Sequence, residues 1–362
     1  MKFSNDNKLL ALGQSARAVA KLAVDSGWQV VTIDVFADVD TQDLAVEAYR
    51  VRSLAVEDLR PALDEVMRRH APTHCVYASG FEANVDALHD LSKRLIILGN
   101  SPDCLASVCD RDRFFRALAD LSIPFPETGF VAPEPGLWLC KSLHSAGGMA
   151  VGWQMPLQAA ASDSLYWQRY QNGVVYSAAF IAHNQGVDVM GFNRQWSVAV
   201  GDRPFVFAGA MSNVTLPPDL AHRVEGWLAA LARHFGLRGL GSLDFIVDGD
   251  VCHVLELNAR FSASSALYGC DVFGAHVAAC VGDYAGCKVD DFPRASRVLF
   301  ADGDWVIPRD LPWPDWAVDR PQPGSLIGKG LPLCSIMAAG FCEADVSERL
   351  EHAEHFIRQL FQ

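Results

Sequence analysis

The sequence has no Cys-x-x-Cys pair; its ten cysteines are scattered, the nearest two being Cys104 and Cys109. That spacing gives neither a zinc ribbon nor a disulfide framework, and it predicts reduced, buried thiols acting as small hydrophobes. Positive charge is also scarce: 30 Lys and Arg against 43 Asp and Glu leave a formal charge of −13. Such a balance disfavours nucleic acid and anionic membrane as partners, so any phosphate binding must be local. No apolar run approaches the roughly 20 residues of a membrane helix, and Met1 is not followed by a basic, apolar leader. The expectation is a cytoplasmic protein, with a homo-oligomer left open. Internal repeats and low-complexity tracts are absent.

Half of the residues are apolar, enough to bury a sizeable core in two or three domains or subdomains. The chain opens as strand, turn, helix, strand: Leu9 to Leu12, Gly13-Gln14-Ser15-Ala16-Arg17, a helix to about Asp25, then Gln29 to Asp34. This βαβ order predicts a parallel sheet. Beyond Gly13 the glycine fingerprint for a dinucleotide pyrophosphate is missing, which sets a dehydrogenase reading aside despite Asp34 at the end of the second strand. Ser15 and Arg17 open the helix, where Ser15 either caps it or helps hold an anion. The acidic loop Phe36-Ala-Asp38-Val-Asp40-Thr41 is expected to stay solvated. Glu82 follows the next strand in the turn Ser79-Gly80-Phe81-Glu82.

The densest chemistry lies between Ser242 and Arg260. Two apolar runs flank Asp248-Gly249-Asp250, a hairpin signal. On the second strand Glu256, Asn258 and Arg260 fall two apart and share a face. A two-residue loop would set Asp244 opposite Leu255, on the wrong face. Looping out all three turn residues sets it opposite Val254, beside Glu256, and that register is the expectation. Asp244, Glu256 and Asn258 then surround a hard cation, Mg²⁺ or Mn²⁺, which prefers oxygen ligands and shares itself with nucleotide phosphates.

Upstream, Cys109-Asp110-Arg111-Asp112-Arg113 starts a charged helix, whose face is either solvated or, through Arg113, a phosphate contact. Leu137 to Lys141 is a strand carrying a lysine, followed by the small-residue loop Ser145-Ala146-Gly147-Gly148. Backbone amides of such a loop can cradle phosphate oxygens while Lys141 supplies charge. It lacks the Gly-Lys-Ser/Thr of a P-loop. Gln168-Arg169-Tyr170 lies on an aromatic strand running into Asn172-Gly173. Long alternating stretches, Ser177 to Met190 and Phe205 to Val214, flank Gly191 to Trp196 and suit an antiparallel half-sheet. An amphipathic helix follows over Val224 to Phe235.

The order of these motifs resembles the ATP-grasp superfamily, above all in Asp244 followed by Glu256-Leu-Asn258-Ala-Arg260. Within it the chain is similar to a group of predicted ATP-dependent carboligases, with a carboxylase-like tail. The resemblance implies an ATP-grasp fold of mixed α/β and α+β character. It comprises a Rossmann-like N-terminal domain (1–103), a small lobe acting as lid (104–175), a large lobe (176–292) and a small closing domain (293–362).

The resemblance implies site roles as well. Arg113 stands in place of the usual lysine. Lys141, Ser145, Gly147, Gly148, Gln168, Arg169, Tyr170 and Arg260 would hold ATP, with Lys141 and Arg260 catalytic. Asp244, Glu256 and Asn258 would hold the metal, while Ser15, Arg17 and Glu82 would face the acceptor substrate. The implied reaction joins a small-molecule carboxylate to an amine through an acyl phosphate, in cofactor assembly. Bicarbonate activation and a non-catalytic ATP sensor are the alternatives.

Overall fold

The computed structural model describes residues 8–131, 133–143, 147–153, 165–269 and 271–361. Its first sheet is built from β1 (Lys8–Gly13), β2 (Gln29–Asp34), β3 (Glu47–Arg50), β4 (His74–Tyr77) and β5 (Ile96–Ile97). All pairings are parallel, in the order β3-β2-β1-β4-β5. The crossovers are the helices α1 (Arg17–Asp25), α2 (Val39–Leu44), α3 (Val56–Arg69) and α4 (Val85–Ser92). Near-continuous apolar strands are what a sheet covered on both faces requires. In β2, Val30, Val31 and Ile33 are fully buried. On α3, Leu59, Leu63 and Val66 recur every three to four residues and face the core.

Two short helices, α5 (Pro102–Cys109) and α6 (Arg111–Asp120), lead into a four-stranded antiparallel sheet. It comprises β6 (Thr128–Gly129), β7 (Trp138–Ser142), β8 (Val151–Trp153) and β9 (Leu165–Arg169). Their order is β6-β9-β7-β8.

The largest sheet takes β10 (Val174–His183), β11 (Gly186–Val200), β12 (Arg203–Met211), β13 (Gly239–Asp248) and β14 (Val251–Asn258), with α7 (Pro218–Phe235) between β12 and β13. A short turn of 3-10 helix (Ala263–Leu267) and α8 (Val272–Val281) follow. The stretch Gly191 to Trp196 holds no turn. The chain reverses earlier, where His183 pairs with Gly186, and β11 runs straight through that segment. Asn184-Gln185-Gly186 is polar enough to mark this turn, but it lies inside a stretch whose alternation continues on both sides.

From β15 (Arg294–Phe300) onward the chain does not form a sheet of its own around the last core. β15 pairs with β12, and β19 (Pro332–Ala339) and β17 (Ala317–Val318) continue outward, making one eight-stranded sheet, β14-β13-β10-β11-β12-β15-β19-β17. The helix α9 (Glu343–Gln359) packs Val346, Leu350 and Ile357 against its end. A small hairpin of β16 (Trp305–Val306) and β18 (Leu326–Ile327) precedes β19. Among the described residues no helix is long and apolar enough to cross a membrane, and no described cysteine is in a disulfide.

Candidate functional site

The β13–β14 hairpin closes with Asp248 paired to Val251, leaving only Gly249 and Asp250 in the loop. Gly249 takes the left-handed backbone such a turn needs, with φ of 57°. This corrects the three-residue loop expected from the sequence. The carboxylates still meet, because a β-bulge skips Leu255: Phe245 pairs with Val254, and Asp244 pairs directly with Glu256. One extra residue on β14 therefore turns the face over, which is how bulges re-aim side chains near functional sites.

The two carboxylates lie on the floor of a cleft of about 560 Å³ between the four-stranded and the eight-stranded sheets. Lys141 and Gln168 line its other wall, from β7 and β9. Lys141 Nζ donates to Gln168 Oε1 at 2.6 Å, and Gln168 Nε2 donates to Thr128 Oγ1 at 3.1 Å. With an amide in place of a carboxylate partner, burial pushes the Lys141 ammonium down to about 8; Arg111 adds to this and Glu256 opposes it. Arg111, at the start of α6, donates from Nη2 to Glu256 Oε1 at 2.5 Å and is itself buried. Its Nε is buried without a partner. A buried, unsatisfied guanidinium N–H beside the cleft is a donor that an anion can use.

Gly147 and Gly148 also line the cleft, both with positive φ. Phe207 N–H donates to the Gly147 carbonyl at 3.0 Å, and a Cβ on Gly148 would stand 1.9 Å from the Phe205 carbonyl oxygen. The loop thus lies directly on the β12 backbone, which only glycine permits. Trp153, Tyr170 and Phe205 form an aromatic group on this side, with ring centroids 4.9 Å and 5.4 Å apart around Trp153.

A divalent cation fits the carboxylate pair. Burial and the neighbouring Glu256 push the Asp244 carboxyl up to about 7, a cost that a metal charge would remove. Two carboxylates plus substrate phosphates suffice for Mg²⁺. Asn258 stands beside this pair. Its Nδ2 donates to Asp244 Oδ2 at 3.1 Å, and its Oδ1 accepts from Arg260 Nη2 at 3.1 Å. The amide oxygen is directed at Arg260 and not at the carboxylate pair, so Asn258 orients Asp244. Gln195 Nε2 holds the other oxygen of Asp244 at 3.1 Å.

A second cavity, of about 530 Å³, opens where the N-terminal domain meets the 3-10 turn and the strands β15 and β19. Phe207 lines both cavities, so they adjoin. Ser15 and Arg17 line this second cavity. Arg17 is not a free cation, however. Its Nε lies 2.6 Å from Asp319 Oδ1 and 3.5 Å from Asp40 Oδ2.

The other sequence-selected residues distribute as follows. Glu82 and Arg260, assigned from the sequence to different substrates, pair with each other: Arg260 Nε donates to Glu82 Oε1 at 2.5 Å. Despite burial, Arg260 holds the Glu82 carboxyl below its ordinary range. Neither side chain lines either cavity. Arg113 is exposed and does not line the cleft. Its backbone N–H is capped by Asp110 at 3.0 Å. Arg111 takes the cleft position because, one helical turn before Phe114 and Phe115, it shares their buried face. Gln168, Arg169 and Tyr170 all line the cleft. The amides of Arg169 and Tyr170 are already donated to the Glu127 and Leu137 carbonyls at 2.8 Å. Ser145 lies outside the described residues.

Arg111 and Gln195 were missed by sequence reasoning. The helical period marks Arg111 as inward-facing and Arg113 as outward-facing; Gln195 carries no such signal. The loop expected to be solvated is in fact buried at Asp38, Asp40 and Thr41. Asp34 accepts from the Ala16 N–H at 2.9 Å and the Ala37 N–H at 2.5 Å, so it fastens the first turn and is not free for a ribose.

A nucleotide-sized cleft between two antiparallel sheets, behind a parallel N-terminal domain, defines the ATP-grasp class of fold. The family model described as "ATP-grasp domain" matches residues 108–264. Biotin carboxylase from Campylobacter jejuni, solved with an ATP analogue, superposes with a TM-score of 0.73 at 13% identity, covering 96% of this chain and 90% of that one. N5-carboxyaminoimidazole synthetase from Staphylococcus aureus, complexed with ADP, gives 0.72 at 15% identity, covering 98% of each chain. In sequence, the carbamoyl phosphate synthase large chain of Myxococcus xanthus is 24% identical over 266 residues, covering 66% of this chain. That of Thermoplasma acidophilum is 28% identical over 201 residues, covering 49% of this chain. The chain spans only 24% and 19% of the length of these two relatives. Residues 108–264 thus match an ATP-grasp domain, and the chain as a whole has the ATP-grasp fold.

Proposed function

We propose that this chain is an ATP-dependent ligase that joins a small-molecule carboxylate to an amine through an acyl phosphate. One observation carries the reading: Asp244 and Glu256 meet on one wall of a cleft whose other wall supplies Lys141, next to a second cavity large enough for a substrate. ATP would lie in the cleft, with its phosphates toward Lys141, Arg111 and the amides of Gly147 and Gly148. Asp244 and Glu256 would hold Mg²⁺ or Mn²⁺. When bound, the metal supplies charge neutralisation at the phosphates.

The chain's own residues do the positioning. Asn258 and Gln195 fix both oxygens of Asp244, and Arg111 fixes Glu256, so the metal-binding edge is set before nucleotide arrives. Lys141 and the unsatisfied Nε of Arg111 offer donors to the phosphates as charge develops in transfer. The Arg260–Glu82 pair ties the end of β14 to the turn after β4. A carboxylate held where the two cavities adjoin, beside Phe207, would attack the γ-phosphorus and expel ADP, leaving the acyl phosphate. The amine then takes the acyl group, and phosphate leaves.

Activation of bicarbonate is the second reading, favoured by the carboxylase and carboxyaminoimidazole synthetase among the structural neighbours. A role in cofactor assembly remains part of the first. The test is hydroxylamine trapping. With a cognate carboxylate, Mg²⁺ and ATP but no amine, hydroxamate should form in proportion to ADP. Release of AMP and pyrophosphate would overturn the acyl-phosphate route, and ADP formation with bicarbonate alone would select the second reading.

A further inference from the structure

The second cavity contains a charged group that nothing in the fold uses. Asp38 lines it and is 9% exposed, yet among the described residues its carboxylate has no hydrogen-bond or ion-pair partner. Asp38 occupies the N-cap position of α2 without giving a side-chain cap bond. The neighbouring carboxylates all have partners. Asp34 accepts from two backbone amides, and Asp40 accepts from the N–H groups of Asp319 and Arg320 at 3.0 and 2.9 Å. Asp319 holds Arg17. Buried carboxylates are otherwise paired or hydrogen-bonded, so Asp38 is the exception and it faces open space.

The cations near this carboxylate are committed elsewhere. Arg17 is shared between Asp319 and Asp40. Arg320 contacts Asp40 and Asp43. Arg50, at the exposed rim, donates to the Val35 carbonyl at 3.1 Å. The rest of the lining is largely apolar, including Phe36, Phe207, Phe261 and Val298. Phe36, two residues before Asp38, is 42% exposed and can offer its ring face to a cation.

We infer that Asp38 binds the ammonium group of the amine substrate, whose apolar body fills the remaining cavity. This rests on the ligase reading only for the name "substrate"; the cation site itself does not depend on it. Burial, Asp319, Asp40 and Asp34 push the Asp38 carboxyl up to about 8, as expected of a carboxylate lacking its counter-charge. Backbone geometry agrees: Asp319 has φ of 54° and Ala37 has φ of 46°. Asp319 lines the cavity and Ala37 precedes Asp38, and strained backbone of this kind clusters at ligand clamps.

The experiment is a binding comparison on the full chain with three probes of matched size: phenethylamine, 3-phenylpropionate and phenethyl alcohol. Thermal shift and calorimetry are run with and without Mg²⁺ and a non-hydrolysable ATP analogue. Phenethylamine should bind best, and Asp38→Asn should weaken it roughly tenfold or more, as loss of a charge-assisted contact predicts. Asp38→Ala should do the same, which guards against an effect peculiar to the amide. Asp43→Asn, an exposed neighbour, should leave binding unchanged. Preference for 3-phenylpropionate, no binding of phenethylamine at 10 mM, or equal binding by the Asp38 variants would each overturn the inference. The nucleotide arm separates the two ideas. Amine binding through Asp38 without nucleotide binding upholds this site and sinks the ligase reading, whereas nucleotide binding without amine binding does the reverse.

Discussion

Nucleotide affinity should fall steeply above pH 8 because of one lysine. Lys141 is the cleft's ammonium, and among the described residues its hydrogen-bond partner is the neutral amide of Gln168. Burial holds it near 8 in the free protein. A bound phosphate restores the missing counter-charge and raises that value, so binding takes up a proton above pH 8. The share of the affinity that Lys141 supplies is therefore full below its free-state value and lost as pH rises through it. Asp244, pushed up to about 7, must ionise to hold the metal and acts with the opposite sign below pH 8. With about 8 for the free protein and a bound value above 10, the dissociation constant should rise roughly 30-fold between pH 7 and 9.5, about 2 kcal/mol. Nucleotide phosphates are already ionised in this range and the nearby Arg111 stays charged, so neither contributes.

Calorimetric titration of ADP with Mg²⁺ in buffers of different ionisation enthalpy would give both the affinity and the proton uptake. Lys141→Arg keeps the charge at all these pH values and should flatten the profile, even where its geometry lowers affinity overall. A flat profile in the wild type to pH 9.5, or an unchanged slope in Lys141→Arg, would refute the assignment of Lys141 to the phosphates.

Glu256→Gln should lower metal-dependent turnover on the order of 100-fold while the melting temperature barely moves; unfolding instead would reduce Glu256 to a structural partner of Arg111. Arg111→Met should cost about 1–3 kcal/mol of stability in chemical denaturation, because it strips a charged hydrogen bond from Glu256, whereas Arg113→Met should cost under 0.5 kcal/mol. Equal effects would contradict the inward placement of Arg111. Gly148→Ala must lift the loop from the Phe205 carbonyl and adopt a φ of 71°, so it should cost about 1–3 kcal/mol and weaken ATP binding in a filter or calorimetric assay. Unchanged affinity would show that the loop takes no part in holding nucleotide.

What the sequence could convey about this site was set by how local each feature is. The βαβ opening and the strand bearing Glu256, Asn258 and Arg260 follow from periods of apolar residues over a few positions, and those periods survive folding. The facing of Asp244 onto Glu256 does not belong to either strand alone. It depends on a one-residue bulge at Leu255, and the sequence offered two loop lengths with opposite outcomes. The site chemistry required the carboxylates to meet, so the expectation reached the correct face through the wrong turn.

Ion pairing was less legible still. Arg260 and Glu82 lie 178 positions apart, and each carried a plausible separate role until the fold brought them together. Arg17 shows the same limit: its position beside a cavity followed from the first turn, but its charge is claimed by Asp319, 302 positions away. Because partnerships over such separations decide which charges remain free, sequence alone favoured the conspicuous arginine and passed over Asp38. A buried residue without a partner becomes visible only when every neighbour's partner is known.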